Sequence, residues 1–115
     1  MTAAAPELRP RLTHEAALEL CRTLGDPIRL SLMTAIWRRE QCVCDLRATT
    51  WEARQNLVSH HLGVLRRAGI ADIRRDGRWV YYRPADAMDE STSAAITALL
   101  GPRGHAVANP GEGTP

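Results

Sequence analysis

The chain has no lysine: all fifteen of its basic residues are arginine. No apolar run approaches the roughly 18 to 20 residues a membrane-spanning helix needs, so no membrane partner is expected. The start, Met1-Thr2-Ala3-Ala4-Ala5-Pro6, has neither a basic opening nor an apolar stretch, which argues against a secretory signal and for a cytoplasmic protein. Three cysteines, Cys21, Cys42 and Cys44, are too few and odd in number for a disulfide scaffold. In a reducing compartment they are thiols. There is no P-loop, G-x-G-x-x-G, H-E-x-x-H or G-x-S-x-G, and with them go the commoner enzyme classes. What remains is ordinary: 115 residues, 44% hydrophobic and 24% charged, enough for one domain with a small core.

The formal charge of +2 hides an asymmetry. Between Arg54 and Arg83 stand seven arginines against two acids, Asp72 and Asp76, while the rest of the chain is net acidic. A basic centre with acidic flanks suits a polyanion. A solvated basic face would carry the same charge.

Residues 1–12 hold two prolines and no sustained period, and read as a flexible arm. Thr13 can cap a helix carrying Ala17, Leu20, Cys21 and Leu24 at helical spacing, closed by Gly25 as a C′ residue. Asp26-Pro27 then opens a second helix to about Arg39, with Ile28, Leu32, Met33 (or Leu30), Ile36 and Trp37 inward. A short helix over about Val43–Thr50, a break at 51–53 and a longer helix over Arg54–Ala68 follow, the last closed by Gly69. The period then changes. Ile70–Arg75 and Arg78–Arg83 flank Asp76-Gly77, a type I′ turn pair, and predict a two-stranded hairpin. A final helix is expected over Ala85–Leu100. The three prolines and four glycines from Gly101 onward predict a disordered tail. The fold class is mainly α with a β-hairpin wing, a winged helix-turn-helix of order α-α-α-α-β-β-α over residues 13–100. Its two terminal helices carry apolar stripes that a homodimer would bury.

On the helix from Arg54, residues Leu57, Val58, His61, Leu62 and Leu65 share one side. Gln55, Asn56, Ser59, His60 and Gly63 share the other. Amide and hydroxyl side chains at the start of a second helix can read base edges in a major groove. Arg54, Arg66, Arg67 and the wing arginines Arg74, Arg75 and Arg78 suit backbone phosphates, and Arg78 beside the turn suits a minor groove. An exposed amphipathic helix without a partner is the plainer alternative.

Four stretches together resemble the ArsR/SmtB family of metal- and metalloid-responsive repressors: Leu24–Leu30 (LGDPIRL), Cys42–Leu46 (CVCDL), Val58–Ile70 (VSHHLGVLRRAGI) and Asp76–Tyr82 (DGRWVYY). The resemblance runs in register over about residues 14–100. It implies a homodimer that holds double-stranded operator DNA until an inducer binds. The span from Cys44 to Ser59 is about one residue longer than the family pattern.

Cys42-Val43-Cys44 resembles the family's metalloid motif at the start of the short helix. Positions i and i+2 of a regular helix point about 200° apart, so joint ligation would require the first turn to unwind. A helix N-terminus should also lower the thiol pKa. Thiolates select soft ions: As(III) foremost, with Cd(II), Pb(II) or Zn(II) next. Arsenic sensors often place a third cysteine where this chain has Arg47, so Cys21 is the remaining candidate thiol. Its place on an apolar stripe favours a buried core residue over a ligand, and His14 could serve a borderline ion. The family's other site, on the last helix, would need histidines, and none occurs over 85–100: Asp86-Ala87-Met88 stands there, and His105 lies beyond. The expected function is a thiol-inducible repressor and not an enzyme. Responses to thiol oxidation, or to nickel or zinc, and a repressor without a metal site are the alternatives, and a thiol oxidoreductase lacks its C-x-x-C.

Overall fold

The computed structural model describes residues 11–49 and 55–104. Two side-chain caps begin the fold. Thr13 Oγ1 accepts from the Ala16 amide at 3.0 Å and opens α1 (His14–Leu24). Asp26 Oδ1 accepts from the amides of Ile28 and Arg29 at 2.9 and 3.1 Å and opens α2 (Pro27–Arg38). The Arg29 amide foremost holds the Asp26 carboxyl below the usual carboxylate range. Gly25 ends α1 as expected, but not as a left-handed C′ residue, for its φ is −81°. Space is the reason for glycine: a Cβ there would stand 2.8 Å from the Cys21 carbonyl oxygen.

The helix-turn-helix pair is α3 (Val43–Thr49) and α4 (Gln55–Arg67). The expected break at 51–53, together with Arg54, lies outside the described residues. Gly69, at φ 82°, closes α4 with a Schellman pair: its amide donates to Arg66 O at 3.0 Å and that of Ile70 to Leu65 O at 3.3 Å.

The sheet differs from the expected hairpin in two respects. Strands β2 (Ala71–Asp76) and β3 (Trp79–Pro84) pair antiparallel with Asp76 opposite Trp79, so the loop residues are Gly77 and Arg78. Gly77 has φ +62°, and no described non-glycine residue has a positive φ. That is the pattern of a type II′ loop, since type I′ would need positive φ at Arg78 as well. The second difference is β1 (Gln41–Cys42), which pairs with Tyr82 and Tyr81 and makes a three-stranded sheet of order β1-β3-β2.

The last helix, α5 (Glu90–Leu100), begins five residues later than the sequence suggests. Asp89 is the reason: its carboxylate accepts from the Thr92 amide at 2.7 Å and fixes the start there. Before it, the Ala85 amide donates to Ile70 O at 3.1 Å and prolongs the sheet.

The core gathers on α2, where Leu32, Met33, Ile36 and Trp37 are fully buried, while Leu30 is 40% exposed. Leu46 of α3, Val58, Leu62 and Leu65 of α4, and Ile96 of α5 close over it. Two expected inward residues point elsewhere: Leu57 is 42% exposed, and Cys21 is exposed beside the buried Leu20 and Leu24. Leu12 packs against the core although it belongs to the expected arm. Nor is the start of the tail loose. Trp37 Nε1 donates to Gly101 O at 2.7 Å, the Gly104 amide donates to Trp37 O at 2.9 Å, and the Arg103 guanidinium lies 5.6 Å from the Trp37 ring centre. Packing therefore continues to residue 104.

Candidate nucleic-acid interface and thiol site

The buried side of α4 fixes its orientation. Beside Val58, Leu62 and Leu65 lies His61, also buried, whose Nδ1 accepts from Arg29 Nη1 at 3.1 Å. The same Arg29 donates through Nε to Thr23 O at 2.6 Å, so one guanidinium ties α4 to the end of α1. Burial pushes the His61 pKa below the ordinary histidine range, which keeps the ring a neutral acceptor. With that side committed, Ser59, His60, Arg66 and Arg67 project outward. Gln55 and Asn56 lie on the first turn of the same helix. Gly63 leaves room for Arg67, since a Cβ there would come within 3.1 Å of Arg67 Nη1.

The wing arginines divide. Arg75 and Arg78 are exposed, and the Arg78 guanidinium lies 5.8 Å from the Trp79 ring centre at the loop. Arg74, expected on phosphate, has another partner. Its Nε and Nη2 donate to Glu40 Oε2 and Oε1 at 2.9 and 2.7 Å, and its guanidinium covers the Tyr81 ring at 4.3 Å. The Glu40 side chain is 2% exposed, and this fork is what makes a buried carboxylate tolerable. Arg74 is thus a clasp between β2 and the residue preceding β1. Arg74→Ala, which strands a buried charge, should lower the unfolding free energy by about 2 kcal/mol in urea melts. Arg78→Ala should change it by less than about 0.5 kcal/mol. Equal losses in the two variants would contradict this division.

The thiols meet at a junction. Cys42 is the last residue of β1 and is buried, while Cys44 is the second residue of α3 and is exposed. Their Sγ atoms are 2.6 Å apart. The 200° separation of two helical positions does not apply, because the chain bends from strand to helix between them. No unwinding is needed. The expected lowering of the thiol pKa is also reversed. The contact with Cys42 is the largest cause that pushes Cys44 up to about 11, with burial next. Any metal cation has to displace a firmly held proton. Cys21 does not join the pair, and among the described residues no group of three or more His, Cys, Asp or Glu side chains is placed to hold an ion.

A groove of about 440 Å³ connects the two features. Cys44 and Arg47 from α3, Ser59 and Arg66 from α4, and Arg75 and Arg78 from the wing line it, and among the described residues no carboxylate does. Arg47 and Trp79 also line the groove, and hydrophobic period alone singles out neither. The signal for Arg47 was its position three residues after Cys44, on the same helical side.

Comparison with known proteins bears on the family and the fold. The bacterial regulatory protein, arsR family, matches residues 26–72. The biofilm growth-associated repressor of Agrobacterium fabrum is 40% identical over 95 residues, 83% of this chain and 79% of that one. The arsenical resistance operon repressor of Escherichia coli is 37% identical over 67 residues, 57% of this chain and 56% of that one. Among solved structures, the transcriptional repressor BigR from Xylella fastidiosa superposes with a TM-score of 0.61 at 29% identity, covering 86% of this chain and 96% of that one. The chain spans about three fifths of the length of the SmtB repressors that it also matches. Among the described residues no helix is long and apolar enough to cross a membrane. With its helix-turn-helix, its wing and a relative matched over most of both lengths, the chain belongs to the arsR family of bacterial regulatory proteins, a family of DNA-binding regulators and not of enzymes.

Proposed function

We propose that this protein is a transcriptional repressor that binds operator DNA as a homodimer and leaves it when a soft metal(loid) engages Cys42 and Cys44. The observation that carries the reading is the groove, where guanidiniums from α3, α4 and the wing converge beside the thiol pair with no carboxylate of the described residues among them. Ser59 and His60 on the outward side of α4, with Gln55 and Asn56 at its start, are the base readers; Arg66, Arg67, Arg75 and Arg78 are phosphate contacts. Arg54 is assigned with them from sequence alone.

The thiol pair fits a soft ion in kind and supplies two donors. A third thiol, where the ion needs one, is Cys21 from a second copy of the chain. Arsenite is the favoured inducer, since its relatives include an arsenical resistance repressor and its donors are thiols. Cadmium, lead and zinc follow.

Fluorescence anisotropy on a labelled duplex across a salt series tests the DNA assignment. Log affinity should fall linearly with log salt, by about 0.9 for each phosphate neutralised. Arg66→Ala, Arg75→Ala or Arg78→Ala should each weaken all sequences and flatten the slope by about that amount. Ser59→Ala should cost about 1 to 3 kcal/mol, chiefly on the operator. Binding indifferent to salt would overturn the assignment.

A further inference from the structure

Arginines near the sheet fall into two sets. Arg74 is paired with Glu40, and Arg83 and Arg103 are both paired with Asp86. Arg47, Arg66, Arg75 and Arg78 have no carboxylate of the described residues within ion-pair distance, and all four line one groove. Four uncompensated guanidiniums around a concave surface form an anion site. Cys44 is in the wall of that groove, not behind it.

Resting on the DNA reading above, we propose that the thiol pair lies inside the DNA interface, so that a backbone phosphate and a ligand carried on Cys44 exclude one another from the groove. The position of the sulfurs is fixed by the same sheet that carries the wing arginines. Cys42 pairs with Tyr81 across β1 and β3, and Arg75 pairs with Val80 across β2 and β3. A phosphate drawn to Arg75 and Arg78 is therefore brought to the thiols by a rigid frame. The volume of about 440 Å³ equals roughly fifteen waters at their liquid share. It admits a phosphodiester, and a ligand carried on Cys44 would stand among the guanidiniums that the phosphodiester uses. Release then requires no shift of α4 against a second subunit. It acts in each protomer, on operator and non-operator duplex alike.

The test uses the full chain with all three cysteines present. Iodoacetamide alkylates the thiols with and without saturating duplex, and mass spectrometry follows each cysteine separately. DNA should slow the modification of Cys44 at least about tenfold, with operator and unrelated duplex alike, and leave Cys21 on α1 unchanged. In a second arm, Cys44 of the Cys21→Ser/Cys42→Ser protein is labelled with a sulfonatoethyl or a trimethylammonioethyl methanethiosulfonate. Measured against the same unlabelled variant, the anionic adduct should weaken duplex binding about 30-fold, and the cationic one at least about fivefold less. A protein that binds duplex in a salt-dependent manner while Cys44 reacts at its free rate overturns the shared groove alone. Equal effects of the two adducts do the same. A chain that binds no duplex overturns the DNA reading, and the shared groove with it.

Discussion

Leu99→Asp should give a folded monomer that has lost about 100-fold or more in operator affinity. Of the eleven residues of α5, only Ile96 is buried, and Leu99 is 65% exposed. On α1, Leu18 is 43% exposed. In the proposed homodimer, large aliphatic side chains on the two terminal helices are covered by a second copy, which a two-fold interface accomplishes with one patch used twice. A charge at Leu99 would have to be buried unpaired in that interface, whereas in the single chain it stands in water. The monomer should therefore keep its helical circular dichroism while sedimentation shows half the mass. Operator binding fails for a separate reason: two recognition helices gain affinity by engaging both half-sites at once, and a monomer forfeits one of them. A hundredfold loss corresponds to about 2.7 kcal/mol. A Leu99→Asp protein that sediments as a dimer and binds operator normally would remove α5 from the interface.

The features legible in the sequence were those set by local rules. Thr13, Asp26 and Pro27 specify helix starts through hydrogen-bonding groups within three residues of themselves. The α2 side carrying Leu32, Met33, Ile36 and Trp37 follows from the 3.6-residue period. The structure departs from the local pattern where a short or distant partner decides. Two residues of β1 carry no period, and their strand character exists only through Tyr81 and Tyr82. Asp76-Gly77 has the composition of a type I′ turn, yet the cross-strand register moved the loop by one residue. Residues 85–88 could have begun a helix, but the cap at Asp89 and the pairing of Ala85 with Ile70 prevailed.

The candidate DNA surface follows the same division. The outward side of α4 is a matter of period, and Ser59, His60, Arg66 and Arg67 are exposed as expected. Arg74 was not separable from Arg75 in sequence, since its partner Glu40 is 34 residues away and only the sheet brings them together. The thiol geometry was inverted for a related reason. Treating Cys42 and Cys44 as two helical positions put them on opposite sides, whereas β1 ends and α3 begins between them. The two-residue strand β1 thus sets both the sulfur contact and the clasp.

The proposed switch carries the other large effect. Cys42→Ser and Cys44→Ser should each abolish release by arsenite, while the parent loses about 100-fold in operator affinity. That factor is a coupling of about 2.7 kcal/mol, and by reciprocity operator DNA should weaken arsenite binding equally. The raised Cys44 pKa of about 11 bears on which ion serves. A dication must expel thiol protons into solution, so its affinity at neutral pH is penalised and should climb as pH rises toward that value. Arsenite is a neutral hydroxide, whose oxygens leave as water with the thiol protons, so its binding should vary little between about pH 6.5 and 8.5. Nickel should fare worst, because the donors are soft and residues 85–100 contain no histidine. Titrations of labelled operator complex with arsenite, cadmium and nickel at two pH values, with each serine variant referred to its own unliganded affinity, read all of this. A Cys42→Ser/Cys44→Ser protein released by arsenite as readily as the parent would place the sensing site elsewhere in the chain.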